Sequence, residues 1–160
     1  MESRKQINFL RHLLLTVLIG LFSFSAQAAD IQGIAGYTLG DVLNKDFILK
    51  EKKAEDGTTV YTVKLLQLAS RVDILTVRIT PTQRIHRISA YTPNLSAAEC
   101  QTEMTSLRKQ TEQHFPALGY YAMDQSEMFY QDDRTYTLEC INTEGKVRLR
   151  QEYSDDKLAK

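Results

Sequence analysis

Only one stretch of this chain repeats its apolar residues at helical spacing, and almost everything else alternates with a period of two. Cys100, Met104, Leu107, Thr111 and Phe115 recur at steps of four, three, four and four, which places them on one face of a helix. Ser96-Ala97-Ala98-Glu99 supplies a capping box at its start, the serine oxygen taking a backbone N–H while Glu99 reaches back to the cap. Pro116 disrupts the hydrogen-bond ladder at the far end, and Gly119 suits the left-handed position beyond it. One amphipathic helix among many strands calls for an α+β domain, with the Ser96–Phe115 helix packed across an antiparallel sheet of about five to seven strands.

The strand signals are uneven. Leu75, Val77 and Ile79 alternate with Thr76, Arg78 and Thr80, the strongest run in the chain, and Thr80-Pro81-Thr82-Gln83 turns it back. Ile85 to Tyr91 returns as the hairpin partner, but Ile85 and Ile88 have opposite parity, so a bulge is expected between them. Val60 to Leu68 reads as a strand with Tyr61, Val63 and Leu65 on one face. It follows the charged run Lys50 to Lys53 and a turn at Glu55-Asp56-Gly57. Tyr136, Leu138 and Cys140 alternate up to the hairpin turn Asn142-Thr143-Glu144-Gly145, and Val147, Leu149, Gln151 and Tyr153 come back. Tyr37 to Leu43 reads as a strand end running into one or two helical turns capped by Thr38 or Asp41. Ala29 to Gly36 and Ser154 to Lys160 read as frayed ends.

Residues 1–28 read as an address rather than as fold. Arg4, Lys5 and Arg11 precede the apolar run Leu13 to Phe24, and Ala26-Gln27-Ala28 offers the small residues a signal peptidase needs. Twelve residues span only about 18 Å of a roughly 30 Å hydrocarbon core, too short for an anchor. The expectation is a signal peptide over 1–28, and a single domain over 29–160 in the periplasm, or secreted as the alternative. No membrane anchor is expected once the leader is gone. The 20 basic and 20 acidic residues balance, and the leader removes three of the former and one of the latter. Such a domain has no basic face for nucleic acid.

Two cysteines in an exported chain read as a disulfide, Cys100 to Cys140, tying the buried helix face to the Tyr136–Cys140 strand. Thr76-Val77-Arg78-Ile79 through Tyr91 also echoes Thr137-Leu138-Glu139-Cys140 through Tyr153, at a period of about 61 residues. Two helix-plus-strands rounds, opening at Gly36-Tyr37-Thr38-Leu39-Gly40-Asp41, resemble small periplasmic α+β domains. The β-lactamase-inhibitor-protein-like group and the outer-membrane-assembly lipoprotein group have this layout. The resemblance covers residues 36–153, rests on layout with no specific motif, and implies a binder rather than an enzyme; the lipobox of the assembly lipoproteins is missing.

Chemistry leaves little trace. His86 and His114 belong to different elements and join no metal-ligand motif; Asp132-Asp133 is a turn pair. Ser70 and Ser89 lack a nucleophile motif, and Glu139 and Glu152 read as cross-strand partners of Arg148 and Arg150. No phosphate or dinucleotide fingerprint points to a cofactor, and no metal site or catalytic residue is expected. Two features suit binding. One is the segment Tyr120 to Tyr130, with Tyr120 and Tyr121 foremost, set against the plainer reading of a strand pair packed on the helix. The other is the arginine set Arg78, Arg84, Arg87, Arg148 and Arg150, with Arg148 and Arg150 foremost, set against a solvated face of mixed charge. The expected function is a soluble interaction protein for an envelope partner, of inhibitor or immunity type. An atypical envelope hydrolase and a small-ligand carrier are the alternatives.

Overall fold

A computed structural model describes residues 31–67, 69 and 71–160. The expected leader, Leu68 and the candidate Ser70 lie outside the described residues. Ten strands and one α-helix follow in chain order: β1 (Gly33–Ile34), β2 (Tyr37–Thr38), β3 (Ile48–Lys53), β4 (Thr59–Val63), β5 (Ile74–Ile79), β6 (Ile85–Tyr91), α1 (Ala97–His114), β7 (Gly119–Met123), β8 (Ser126–Gln131), β9 (Arg134–Thr143) and β10 (Lys146–Asp155). The fold is α+β, with α1 on one face of an antiparallel sheet. That sheet has eight strands rather than five to seven, and β1 and β2 form a separate two-stranded ribbon. The undercount came from β3: its Lys50-Glu51-Lys52-Lys53 shows no apolar alternation because it is an edge strand, where charge is the usual protection.

The strand order β3-β4-β5-β6-β10-β9-β8-β7 describes two four-stranded meanders laid side by side. They meet where β6 pairs antiparallel with β10, from Tyr91 opposite Arg150 to Arg87 opposite Ser154. Each meander has its own core on the covered face. Leu75, Val77, Ile85, Ile88 and Ala90 pack beneath Tyr37, Leu39 and Leu43 of the N-terminal segment. Phe129, Tyr136, Leu138 and Leu149 pack beneath Cys100 and Met104 of α1, with Ile31. Tyr153 touches both clusters, and its ring stacks on that of Tyr136 with centroids 4.5 Å apart.

Several local expectations are met by their predicted causes. Ser96 Oγ accepts from the Glu99 N–H at 3.2 Å, and the Ser96 N–H donates to Glu99 Oε2 at 2.8 Å, completing the capping box. Cys100, Met104 and Thr111 are the buried residues of α1. The bulge implied by Ile85 and Ile88 is present: Arg78 faces Arg87 and Ile79 faces Ile85, leaving His86 as the extra residue. Glu144 and Gly145 both take positive φ, 54° and 76°, as a two-residue hairpin turn requires.

Five expectations are corrected. The strand read over Val60–Leu68 stops at Val63, because Leu66 and Gln67 N–H turn aside to donate to the Ala35 carbonyl. Residues 31–36 are not frayed: Ile31 is buried and Gly33–Ile34 pairs with Tyr37–Thr38. Nor are the residues after Tyr153. Ser154 and Asp155 are buried strand residues, and Asp155 accepts from Arg134 Nε at 3.0 Å and from the N–H groups of Lys157 and Leu158. Gly119 is not the left-handed cap of α1 but the first residue of β7, and a Cβ there would lie 2.2 Å from Cζ of Tyr130. The helical turns expected after Tyr37 amount to one 3₁₀ turn at Lys45–Phe47, capped by Asn44 instead of Thr38 or Asp41.

Cys100 and Cys140 are bonded, with Cα atoms 6.0 Å apart. The bond closes 40 residues of sequence between α1 and β9. The chain-entropy relation gives about 4 kcal/mol for such a loop as an upper figure. Replacing both cysteines with alanine should therefore lower the urea midpoint, by an amount equivalent to at most about 4 kcal/mol. An unchanged midpoint would show that the bridge does not constrain the unfolded chain.

Candidate functional site

The N-terminal segment and α1 cover one face of the sheet, and no described element covers the other. Strand parity decides what that open face displays, since successive side chains point to opposite sides. Three of its rows can be read from the register. One runs Val60, Arg78, Arg87, Ser154, Thr135 and Tyr130. The next runs Thr62, Thr76, Ser89, Glu152, Thr137 and Met128, ending at Tyr121 on β7. The third runs Ile74, Tyr91, Arg150, Glu139 and Ser126 to Met123.

Arg78, Arg87 and Arg150 thus share one surface across β5, β6 and β10. Arg78 and Arg87 lie directly opposite each other, an arrangement that repels unless each finds an acid. Arg78 donates to Asp56 at 3.0 Å, and Arg87 approaches Glu152 at 3.8 Å. Arg150 is held by Glu139 and lies 3.8 Å from Glu152. Burial alone would depress the Arg150 pKa, but Glu152 and Glu139 outweigh it and hold the guanidinium above its ordinary value. The Thr58 hydroxyl and N–H, together with Arg78, hold the Asp56 carboxyl down to about 2. Ser89, read as a candidate hydroxyl, donates to Glu152 at 2.8 Å and helps fix it beneath the arginines. The Nε atoms of Arg87 and Arg150 are buried without a hydrogen-bond partner. These side chains are therefore only partly in water, with their Nε atoms buried.

The remaining arginines differ. Arg148 sits at the end of the sheet and donates to Asp73 at 3.0 Å, to Asn94 at 3.1 Å and to the Thr92 carbonyl at 3.1 Å. It clamps β10 to the β6–α1 connection, and its acid is Asp73, not Glu139 or Glu152. Arg84 donates to the Gly40 carbonyl at 2.7 Å and lies off the row.

The tyrosines split by parity. Tyr121 shares the open face with Met123, Met128 and Tyr130, making an apolar flank beside the charged centre. Tyr120 points to the helix side, its ring 5.2 Å from that of Phe129 and its phenol oxygen engaging Arg108. The Tyr120–Tyr130 segment also holds Met123 and Tyr130, which alternation from Tyr121 and Met128 places on the same side.

The histidines lie apart from both sets. His86 occupies the bulge; burial first, then Arg87 and Arg78, lower its pKa. His114 Nδ1 lies 2.7 Å from the Gln110 carbonyl, and His114 lines a cavity of about 270 Å³ between α1, Ile31 and the sheet. Tyr136, Gln151 and Tyr153 form part of its wall, and the Tyr136 hydroxyl donates to Gln151 Oε1 at 3.0 Å. No carboxylate is among its described lining residues. No group of three or more metal-ligating side chains occurs among the described residues, and no described helix is long and apolar enough to cross a membrane.

Comparison with family models, with curated proteins and with solved structures returns no match.

One acid on the covered face is poorly served. Glu127 is buried on β8, 3.8 Å from Arg108, and its Oε2 has no partner. Burial raises its pKa, more than Arg108 lowers it. Above pH 4.5 the unfolded chain releases this proton while the folded chain retains it, so stability falls as pH rises through the elevated value. Glu127→Gln should make that loss shallower and leave the protein more stable than wild type at neutral pH. Thermal melts between pH 4 and 8 test this, and parallel curves for the two proteins would refute it.

Proposed function

We propose that this is an exported, periplasmic interaction protein that binds an envelope protein through the open face of its sheet and has no catalytic residue of its own. The observation that carries the reading is that face itself. It is broad and covered by no described element, with half-buried arginines at its centre and tyrosine and methionine beside them. Arginine and tyrosine are the residue types that dominate binding hot spots. Arg78, Arg87 and Arg150 are held in place by Asp56, Glu139 and Glu152, so little side-chain freedom remains to be lost on contact. A carboxylate-bearing partner surface is the natural complement, because Arg78 and Arg87 face each other with like charge.

The likeness to the β-lactamase-inhibitor-protein-like and assembly-lipoprotein groups belongs to this proposal, as does a tandem origin for the two meanders. In support, β5-β6 and β9-β10 hold the same place in each half. The match is imperfect. The offset that carries Leu75 onto Tyr136 carries its partner Ala90 onto Gln151, whereas Tyr136 pairs with Tyr153. Inhibition or immunity is the kind of work such a face suits. Carriage of a small ligand has the cavity beside His114 in its favour, but the Tyr136 and Gln151 groups there already bond each other.

Capture of partners from the native envelope, with the mature chain as bait, tests the proposal. Arg87→Ala and Arg150→Ala should each weaken capture by about tenfold or more, the loss typical of a hot-spot arginine. Arg148→Ala should act chiefly through stability, because its guanidinium clamps Asp73, Asn94 and Thr92. Normal capture by both Arg87→Ala and Arg150→Ala would reject the face. Turnover of peptidoglycan, ester or phosphate substrates, abolished by replacing His86 or His114, would reject the binding reading altogether.

A further inference from the structure

The two edges of the eight-stranded sheet are built on opposite rules. At one edge β3 carries Lys50, Glu51, Lys52 and Lys53, and its register with β4 shifts between Ile48 and Lys50. Charge and a bulge are the usual means of keeping other strands away. At the other edge β7 reads Gly-Tyr-Tyr-Ala-Met, with no charge, no proline and an unbroken register against β8. On its far side no strand pairs with it among the described residues. Tyr121, Met123 and the neighbouring Tyr130 are 57%, 49% and 48% exposed, the main apolar exposure of this half of the molecule.

We infer that the β7 edge pairs with a second copy of this chain, antiparallel and centred on Tyr121, joining two sheets into one. The sequence of the strand selects both the occupant and the register. In an antiparallel pair, facing residues point to the same side of the sheet, so a symmetric pairing must centre on a residue. Centring on Tyr121 engages all five residues of β7; centring on Tyr120 or Ala122 draws in Leu118 or Asp124 from outside the strand. In the Tyr121 register Gly119 faces Met123 of the other copy, and Tyr120 faces its Ala122. Met123 and Tyr120 thus each meet a small residue, one such pairing on each face of the sheet, and Tyr121 meets its own copy.

Gly119 strengthens the fit. The Tyr130 ring lies where a Cβ on Gly119 would stand, 2.2 Å from Cζ, so the ring reaches the rim of the sheet. Met123 of the other copy would then rest against that ring, a favourable thioether–aromatic contact made twice by symmetry. The two Tyr121 rings meet at the axis. A foreign extended peptide has no reason to place small residues opposite Tyr120 and Met123, whereas a second copy supplies Ala122 and Gly119 there, which is why a second copy is the better occupant. The dimer would place two open sheet faces side by side, with their arginine centres at a distance from the axis. It does not depend on what those centres bind.

Sedimentation of the mature protein over a range of concentrations is the test. Wild type should reach twice the monomer mass at submillimolar concentration. Tyr121→Lys, which brings two ammonium groups to the axis, should weaken self-association at least about tenfold, while Leu49→Lys on the β3 edge should leave it unchanged. An unaltered melting curve for Tyr121→Lys separates lost pairing from lost folding, since the residue is exposed. Tyr121→Cys should cross-link to itself on oxidation, the spacing of facing strand residues lying within disulfide range. A wild-type protein that stays monomeric overturns the inference. So does a dimer insensitive to Tyr121→Lys, or an edge that takes an extended peptide but no second copy.

Discussion

The pairing of β6 with β10 is the contact on which the rest of this structure depends. It runs from Tyr91 opposite Arg150 to Arg87 opposite Ser154, and it alone joins the two meanders into one sheet. Each meander closes by connections of ten residues or fewer between neighbouring strands, but the seam must bring together segments roughly 60 residues apart. The closure entropy of a long loop grows only as (3/2)RT ln n, so the pairing costs little more than a shorter connection would. The kinetic cost is greater, since such contacts form late in chains dominated by distant pairings. Ile88 facing Tyr153 shows how the seam repays it: Tyr153 belongs to both cores, so one side chain couples the packing of the two halves.

The seam also explains why one face remains open. A sheet of eight strands is wider than one helix, and α1 covers only the β9-β10 side. The other half of the same face is covered by the segment around Tyr37, Leu39 and Leu43, held by pairing within β1-β2 and by the Tyr37 hydroxyl donating to the Lys64 carbonyl at 2.8 Å. Both covers lie on one side, and the disulfide fastens the larger of them to β9. An antiparallel sheet tolerates water on its second face provided that face is polar. Here it is polar through paired arginine and glutamate, with Ser89, Thr135 and Ser154 between them.

How much of this could be read from sequence depends on the range of the cause. Ser96 and Glu99 announce the helix because the capping box is complete within four residues. The opposed parity of Ile85 and Ile88 announces the bulge for the same reason. Val60–Leu68 misleads because its last residues obey a distant carbonyl, that of Ala35, and the tail after Tyr153 misleads because its partner is Arg134. Gly119 is instructive: its lack of a side chain suits a helix cap, yet the demand comes from the ring of Tyr130 on the next strand. At the candidate site, parity within β5 and β10 was enough to group Arg78 with Arg150. The acids that hold them, and the separation of Arg148 from the group, needed the register of strands remote in sequence.

The open face and the neutral edge answer a single constraint in different ways. A sheet with one side and two edges that no described element covers presents much unpaired backbone and half-buried side chain to its neighbours. On the face, that exposure is offset by ion pairs with acids on neighbouring strands and in the β3–β4 turn, which keeps the surface polar. At the β3 edge it is offset by lysine. At β7 neither device is present, although Asp124 lies one residue beyond the strand and Glu127 is turned inward beneath α1. The chain therefore has acids available in this hairpin and keeps them off the strand that borders solvent. Neutrality confined to five residues, with Gly119 and Ala122 placed to face Met123 and Tyr120 of an antiparallel copy, is what a pairing surface requires and what a merely solvated edge would lack.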